Sequence, residues 1–448
     1  MRLVVVGGNE LGVQVASALH REHDLTILDQ DEGRATAFES FDVRFQRGNG
    51  ADPDDLTEAG VAEADAFLAC TRSDDLNVLA CLAAKGLGAG RTLAVVSRQR
   101  YLDAFRREGA MTRVGMSIDR VLWPQRLLAK QIADIVRTPR AVDSTSFADD
   151  RIHLREYRLE GTDPFLGVPL ADADVPRGAL LAGVVRDDTF FVPSGTTVLR
   201  EDDKAVFLGT RDSVRAVEAR FAPRRTAQRV TVIGGGNVGF MVAQRLQGPQ
   251  TRVTVIETDP ARAEKLATLL PDTLVLQGDG TDLELMEQER LDDSDVVVAV
   301  TDDDGKNLLA SLLAKQVGIP KVVTRVGRTR NRRLFERVGI DAPLTTRAAA
   351  LQEVLNWLRL DEVDHLASIE DRAEIMEVTY PDRARVGRIR DLGAPRDGLI
   401  GAILHREKVV IPSGDTTLQH GDRLFIVTTP DNVGEVAAWL ERHCADGS

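Results

Sequence analysis

The chain opens on RLVVVGG, an apolar run in which branched residues follow one another without polar interruption. Such runs suit strands buried on both faces, whereas strict alternation suits a half-exposed strand. LGVQVASALHR follows, with Leu11, Val15 and Leu19 at helical spacing. LTILD, AFLAC and LAVVS supply further short apolar runs, separated by segments of helical character. This alternation predicts a parallel sheet with helices on both faces. DRVLWPQRLLAKQIADIV at 119–136 predicts a helix with Pro124 in its first turn. Its apolar face must be covered by the core of its own unit or by another one. Residues 180–210 change character, to short β runs between charged turns that end in an apolar strand.

The pattern is then written a second time. Gly7 and Gly12 match Gly234 and Gly239, and Asp29 closing LTILD matches Glu257 closing VTVIE. QRGNGAD at 46–52 matches LQGDGTD at 276–282, and ADAFLACTRSDDLN at 64–77 matches SDVVVAVTDDDGKN at 294–307. The β-rich stretch at 180–210 returns at 399–429. The fold class expected is α/β, with two Rossmann-like parallel-sheet domains, each followed by a small α+β domain. The expected domains are 1–137, 138–222, 229–360 and 361–448, with polar, proline-bearing linkers RTPRAVDSTS at 137–146 and APRRTAQ at 222–228.

Composition narrows the function classes. A net charge of −13 disfavours nucleic acid as the main ligand. The three cysteines, Cys70, Cys81 and Cys444, write no disulfide framework and no metal-binding spacing. The N-terminus runs straight into a strand pattern, so no signal peptide is expected. No uncharged run approaches the roughly 20 residues of a membrane helix.

The candidate chemistry lies in the glycine turns. Strand, G-x-G-x-x-G, helix is a dinucleotide fingerprint. Gly234 permits the tight turn, Gly236 lets backbone amides approach a pyrophosphate, and Gly239 lets helix and strand pack closely. Glu257 ends the next strand roughly 20 residues on, where an acid receives the ribose hydroxyls. Asp29 holds that place in the first copy. A carboxylate there repels a 2′-phosphate, which argues against NADP but leaves NAD, ADP and ATP open. The first copy reads GGNELG and puts Asn9 where the second has Gly236. Its side chain enters the space a pyrophosphate needs, so unequal ligand duties are expected. Asp279 suits either a ribose acceptor or an Asx turn. Asp302, Asp303 and Asp304 suit a solvated acidic loop or a cation. Arg98 and Arg325 end matching strands and suit phosphate contact or a surface ion pair.

No catalytic constellation converges in sequence. The histidines are scattered, and neither a nucleophile elbow, a His-Glu-x-x-His motif nor a Walker lysine occurs. Lys306 and Lys315 read as helix-surface residues. The alternatives kept open are an NAD-dependent oxidoreductase and a scaffold without ligand.

In order and duplication, these motifs resemble the family that regulates conductance of potassium (RCK, also called KTN). The tandem arrangement is similar to TrkA-type peripheral subunits of bacterial Trk potassium uptake systems, over essentially the whole chain. The resemblance implies a non-enzymatic regulator, with RCK N and RCK C domains assembled as a homo-oligomeric gating ring. That ring would sit in the cytoplasm, on the inner face of the membrane, beneath a membrane-embedded Trk-type potassium channel or transporter subunit. It implies NAD(H), with ADP or ATP as further ligands. The implied contacts in the second copy are Gly234, Gly235, Gly236, Asn237, Val238, Gly239, Glu257, Gly278, Asp279, Gly280, Thr281, Thr301 and Arg325. In the first copy they are Gly7, Gly8, Asn9, Glu10, Leu11, Gly12, Asp29, Gly48, Asn49, Thr71 and Arg98.

Overall fold

The structure, a computed structural model, describes all residues except 22, 107, 139, 149, 162, 188, 222–228, 359–362, 370–372, 394–397, 407, 437 and 440–448. The side chains of 352, 356, 363–369 and 430 are also outside the description.

The first half begins with β1 (Arg2–Val6), α1 (Glu10–Leu19), β2 (Asp24–Asp29), β3 (Arg44–Arg47), α2 (Pro53–Glu58), β4 (Ala66–Ala69), α3 (Asp74–Leu87) and β5 (Arg91–Val95). Two short helices, α4 (Gln99–Ala104) and α5 (Ala110–Arg113), lead to β6 (Arg120–Leu122) and α6 (Pro124–Arg137). The strands form one parallel sheet in the order β3-β2-β1-β4-β5-β6. This is the doubly wound order, with its switch point between β1 and β4. β7 (Ala141–Phe147), β8 (Ile152–Arg158), β9 (Ala179–Arg186), β10 (Thr189–Phe191) and β11 (Lys204–Gly209) make an antiparallel sheet, ordered β10-β9-β11-β8-β7 and followed by α7 (Arg211–Glu218).

The second half repeats the plan with β12 (Arg229–Ile233), α8 (Asn237–Leu246), β13 (Arg252–Glu257), α9 (Pro260–Leu269), β14 (Thr273–Gln277), α10 (Leu283–Gln288), β15 (Val296–Ala299) and α11 (Asp304–Gln316). β16 (Lys321–Arg325), α12 (Arg332–Arg337), β17 (Ala342–Leu344) and α13 (Thr346–Leu358) complete it, with sheet order β14-β13-β12-β15-β16-β17. The last sheet combines β18 (Val363–Ile369), β19 (Ala373–Thr379), β21 (Gly398–His405), β22 (Lys408–Val410) and β24 (Arg423–Thr428), beside a small pair of β20 (Gly387–Arg388) and β23 (Thr417–Leu418).

Two expectations need correction. Residues 120–122 are strand, and the helix begins at Pro124, which occupies its first turn. The segment expected as a linker at 137–146 is mostly structure. α6 runs to Arg137 and β7 starts at Ala141. β7 is an edge strand whose partly buried Asp143, Thr145 and Ser146 alternate with buried Ala141, Ser144 and Phe147 and line a cavity, so its composition resembles a loop. The linker expected at 222–228 lies outside the described residues.

The helices that end the two Rossmann units are exchanged. α6 lays Leu128, Ile132, Ile135 and Val136 against Val230, Val232, Met241 and Val242 of the second unit. α13 lays Ala350, Val354 and Leu358 against Leu3, Val5, Val15 and Leu19 of the first. The two helices also touch each other. Each fully buried Leu, Ile or Val contributes about 1.5–3 kcal/mol, so the exchange is a main source of cohesion between the halves. Polar bonds reinforce it reciprocally. Lys321 at the start of β16 donates from Nζ to the carbonyls of Ile135 and Thr138 at 2.6 and 2.7 Å, at the end of α6. Arg91 at the matching start of β5 donates to the carbonyls of Trp357 and Leu358 at 3.2 and 3.3 Å, at the end of α13. A cation at a helix C-terminus meets both the dipole and its unpaired carbonyls. The two antiparallel sheets pack face to face through Leu154, Val206 and Leu208 against Ile375, Ala402, Phe425 and Val427.

Lys321 is buried and Arg91 is half-buried. We therefore expect Lys321→Met to lower unfolding stability by about 1–3 kcal/mol, because it strands buried carbonyls. Arg91→Met should cost less, as water can reach its carbonyls. Urea denaturation of both variants checks the order; equal or absent losses would contradict it.

Candidate functional site

The second glycine turn bridges β12 and α8. Gly234 sits at φ +103°, a region that favours glycine, and a Cβ on Gly239 would lie 1.8 Å from the Gly234 carbonyl oxygen. Those two glycines are demanded by the fold. Gly236 is not, since its φ of −66° suits any residue and a Cβ there would meet nothing within 4 Å. It leaves open space in front of α8, whose first amides receive no side-chain cap. Uncapped amides beside open space form an anion seat.

That seat opens into a cavity of about 600 Å³, within the size range of cofactor sites. Glu257 borders it at the end of β13, 5% exposed. One of its oxygens accepts from the Gly235 amide at 2.8 Å and the other from the Asp259 amide at 2.9 Å. Arg262 approaches at 3.4 Å. Thr258 also donates its hydroxyl at 3.3 Å, so the roughly four lone-pair sites of the carboxylate are taken, and a ribose would replace one of the two long bonds, from Thr258 or Arg262. Gly278, Asp279, Gly280 and Thr281 form the facing wall. Asp279 makes the Asx turn, accepting from the Thr281 amide at 3.0 Å and its hydroxyl at 2.7 Å. It also pairs with Lys306 at 3.4 Å. The Thr281 bonds, then Lys306, hold its carboxyl below the usual range.

Thr301 is fixed by Asn307, whose Oδ1 accepts from the Thr301 amide at 2.9 Å and hydroxyl at 2.7 Å. Asn307 Nδ2 donates to the Arg325 carbonyl at 3.0 Å, so one buried side chain ties the ends of β15 and β16. Arg325 pairs with Asp302. Asp303 caps α11, and Asp304 accepts from the Gly327 amide at 2.5 Å. The three aspartates therefore serve as partners and caps. Among the described residues no acidic, histidine or cysteine cluster could hold a metal.

The far wall comes from the other half. Ser97 and Arg98 at the end of β5, and Gln125 in the first turn of α6, line this same cavity. Gln125 Oε1 is buried and has no hydrogen-bond partner among the described residues. Arg98 faces the second site while bonded to Asp74 at 2.9 Å.

Residues 3–116 and 230–346 match the TrkA-N domain, and residues 154–222 and 378–441 match the TrkA-C domain. A Methanosarcina mazei protein named Trk system potassium uptake protein TrkA homolog 1 is 33% identical, covering 98% of this chain and 100% of its own. An Archaeoglobus fulgidus TrkA homolog is 33% identical over 97% of this chain and 99% of its own. The chain belongs to the TrkA family.

Among solved structures, the GsuK RCK domain superposes with a TM-score of 0.60 at 18% identity, covering 98% of this chain and 95% of that one. The GsuK channel bound to NAD gives 0.60 at 18%, covering 98% and 79%. At this identity the likeness shows the shared fold.

The first TrkA-N domain of this family member is built differently at the same turn. Asn9 Oδ1 accepts from the amides of Leu11 and Gly12 at 2.9 and 3.3 Å, and its Nδ2 donates to the Cys70 carbonyl. The side chain thus fills the anion seat of α1. Glu10 pairs with Arg347 of α13 at 3.1 Å, and Leu11 is buried under that helix. Asp29 accepts from the Gly8 amide at 2.6 Å and from Arg34 at 3.1 Å, as Glu257 does from its own loop. The Asn49 amide donates to Asp55 at 2.7 Å beside Gly48. Thr71 is held by Asn77 as Thr301 is by Asn307. Arg98, expected at the first turn, lines the second cavity instead; the other positions proposed from sequence gather at their own glycine turns, and only the second turn is uncapped. Ser97, Gln125, Arg262, Asn77 and Asn307 were not identified in the sequence. The two asparagines could have been, because each closes the matched runs at 64–77 and 294–307.

Gly236→Asn should fold with stability unchanged or raised by less than about 1 kcal/mol, since it adds an N-cap in open space. Chemical denaturation checks this, and a large loss would show that the space is not open.

Proposed function

We propose that the second TrkA-N domain binds NAD(H), or ADP or ATP, and that the chain is a regulatory subunit gating a separate membrane potassium channel or transporter. The observation that carries this is the uncapped helix α8 behind Gly236, in a cavity walled by both halves. Gly234–Gly239 would seat the phosphates, Glu257 the ribose hydroxyls, and Gly278–Thr281, Thr301 and Arg325 the rest of the pocket. The chain's relatives are potassium uptake proteins of the Trk system, and a structure of similar fold was solved with NAD.

A ligand gates only through unequal affinity for two conformations. Here the cavity takes Gly234, Gly236, Asn237 and Val238 from one half and Arg98 and Gln125 from the other. Nucleotide affinity therefore depends on how the halves sit together. The first site, sealed by Asn9, binds dinucleotide weakly or not at all.

The uncapped amides of α8 and the relatives' naming as potassium uptake proteins support reading the site as one of binding. Its lining holds neither histidine nor cysteine, and its carboxylates are engaged in caps and pairs. At the first glycine turn Cys70 is buried, which, with Asp29, pushes its thiol up to about 12, so it is no nucleophile near neutral pH. Among the described residues no helix is long and apolar enough to cross a membrane. The chain is proposed to work in the cytoplasm, peripheral to the membrane through its partner. Exposed Leu79 on α3 and its counterpart Leu309 on α11 are the proposed contacts of a homo-oligomeric ring; sedimentation of the full chain as a monomer would remove that element.

Calorimetric titration with NAD, NADH, ADP and ATP tests the proposal. Gly236→Asn and Glu257→Ala should each weaken the bound ligands at least about tenfold, by filling the phosphate seat or removing a charged hydrogen-bond acceptor. The same variants should uncouple nucleotide from potassium flux when the chain is reconstituted with its membrane partner. Absence of binding by all four ligands, or steady turnover of NADH absorbance, would contradict it.

A further inference from the structure

A larger cavity, about 940 Å³, lies outside the nucleotide site. It is bounded by α6, by β7 and β8 of the first TrkA-C domain, by α7, and by the start of α13. Along β8 the side chains alternate. Ile152 and Leu154 enter the contact between the two antiparallel sheets, whereas His153, Arg155 and Tyr157 face the cavity.

The duplicated fold supplies a control for that stripe. LREYRL at 154–159 aligns with IMEVTY at 375–380, and each central glutamate pairs with the basic residue that opens the matching strand, Glu156 with Lys204 and Glu377 with Arg423. In this alignment Arg155 falls on Met376 and Tyr157 on Val378. The second copy buries those two in an apolar core with Tyr380 and Trp439. The first copy keeps the fold and packs the Tyr157 ring against Phe207 and Phe221, but puts the Arg155 guanidinium and the Tyr157 hydroxyl where the second copy has only apolar atoms.

Those polar groups are under-partnered. Arg155 Nη1 donates to the carbonyls of Leu154 and Thr145 at 3.0 and 3.4 Å, and among the described residues no carboxylate lies within 4 Å of it. Among the described residues Tyr157 Oη is buried without a partner, as is Glu218 Oε1. His153 is 2% exposed, and its Nε2 lies 2.9 Å from the Asp150 carbonyl. Burial first, then the positive charges of Arg155 and Arg215, push its imidazole down to about 4. It is neutral at pH 7, so Nε2–H donates to that carbonyl and Nδ1 keeps a buried lone pair with no donor. Lys130 and Arg215 stand exposed at the mouth, while Asp134 and Glu218 oppose them. Asp134, Glu218 and Asp143 act on the half-buried Arg155 only from beyond ion-pair distance, and a guanidinium so placed beside unfilled acceptors gains from a ligand that brings an anion into contact.

We propose that this cavity is a second ligand site, for a small metabolite carrying phosphate or carboxylate groups. Arg155 binds its anionic oxygens, Lys130 and Arg215 draw it in, and His153 Nδ1 accepts from a hydroxyl of the ligand. Because α6 and α13 both border the cavity, occupancy acts on the exchanged helices that join the halves. The proposal does not depend on nucleotide binding at Gly236.

The test is the melting temperature of the full chain in inorganic phosphate, in citrate, and in chloride of equal ionic strength. A ligand of the folded state raises it by mass action, here by at least about 2 °C over chloride for one or both oxyanions. Phosphate and citrate arms distinguish the two headgroups. Arg155→Met, which installs the residue of the second copy, should abolish the rise while leaving the response to NADH intact. Should that variant fail to fold, Lys130→Gln with Arg215→Gln, both at exposed positions, should reduce the rise. Equal melting in all three salts, or an undiminished rise in the variants, overturns the proposal.

Discussion

The architecture depends on the exchange of two helices. Each Rossmann unit leaves one face of its sheet to be covered by the last helix of the other. Each exchanged helix ends on a basic side chain of the unit it covers, Lys321 for α6 and Arg91 for α13. Apolar burial supplies most of the cohesion, and the cation caps fix where each helix stops. α6 runs from the nucleotide cavity at Gln125 to the Lys321 cap at its other end, and its middle borders the second cavity. A displacement of one half against the other therefore reaches both cavities.

Duplication has preserved the backbone while the chemistry of the copies diverged. At the glycine turns the difference is one side chain. Asn9 supplies to α1 the bonds that a bound anion would supply to α8. In the antiparallel domains the asymmetry runs the other way. The first copy carries the Arg155 guanidinium and the Tyr157 hydroxyl, where the second has Met376 and Val378. Within each half, therefore, one of the two domains has a closed, internally satisfied site. Closed sites stabilise the folded chain without ligand, and open ones make it responsive.

Much of this was legible in the sequence, for definite reasons. Continuous branched runs such as RLVVV and VVVAV can only be strands covered on both faces, and the glycine spacing marks the turn between strand and helix. Asn9 could be read as an obstruction because a Cβ there has a known place relative to the turn. What escaped was relational. The stripe of α6 shows that Leu128, Ile132 and Val136 must be buried, but periodicity carries no record of the surface that buries them. Gln125 and Arg98 face a site more than a hundred residues away for the same reason. β7 looked like a linker because an edge strand that lines a cavity tolerates polar residues. His153 and Arg155 drew no notice in a strand pattern, since only the partners they lack set them apart.

The central claim is that the chain carries two glycine turns and one nucleotide seat. Equilibrium dialysis of radiolabelled NADH or ATP against the full chain measures this directly. The account predicts saturation at one nucleotide per chain for whichever ligand binds. Two equivalent sites per chain, or saturation that survives Gly236→Asn and is lost with an Asn9 variant, would contradict it.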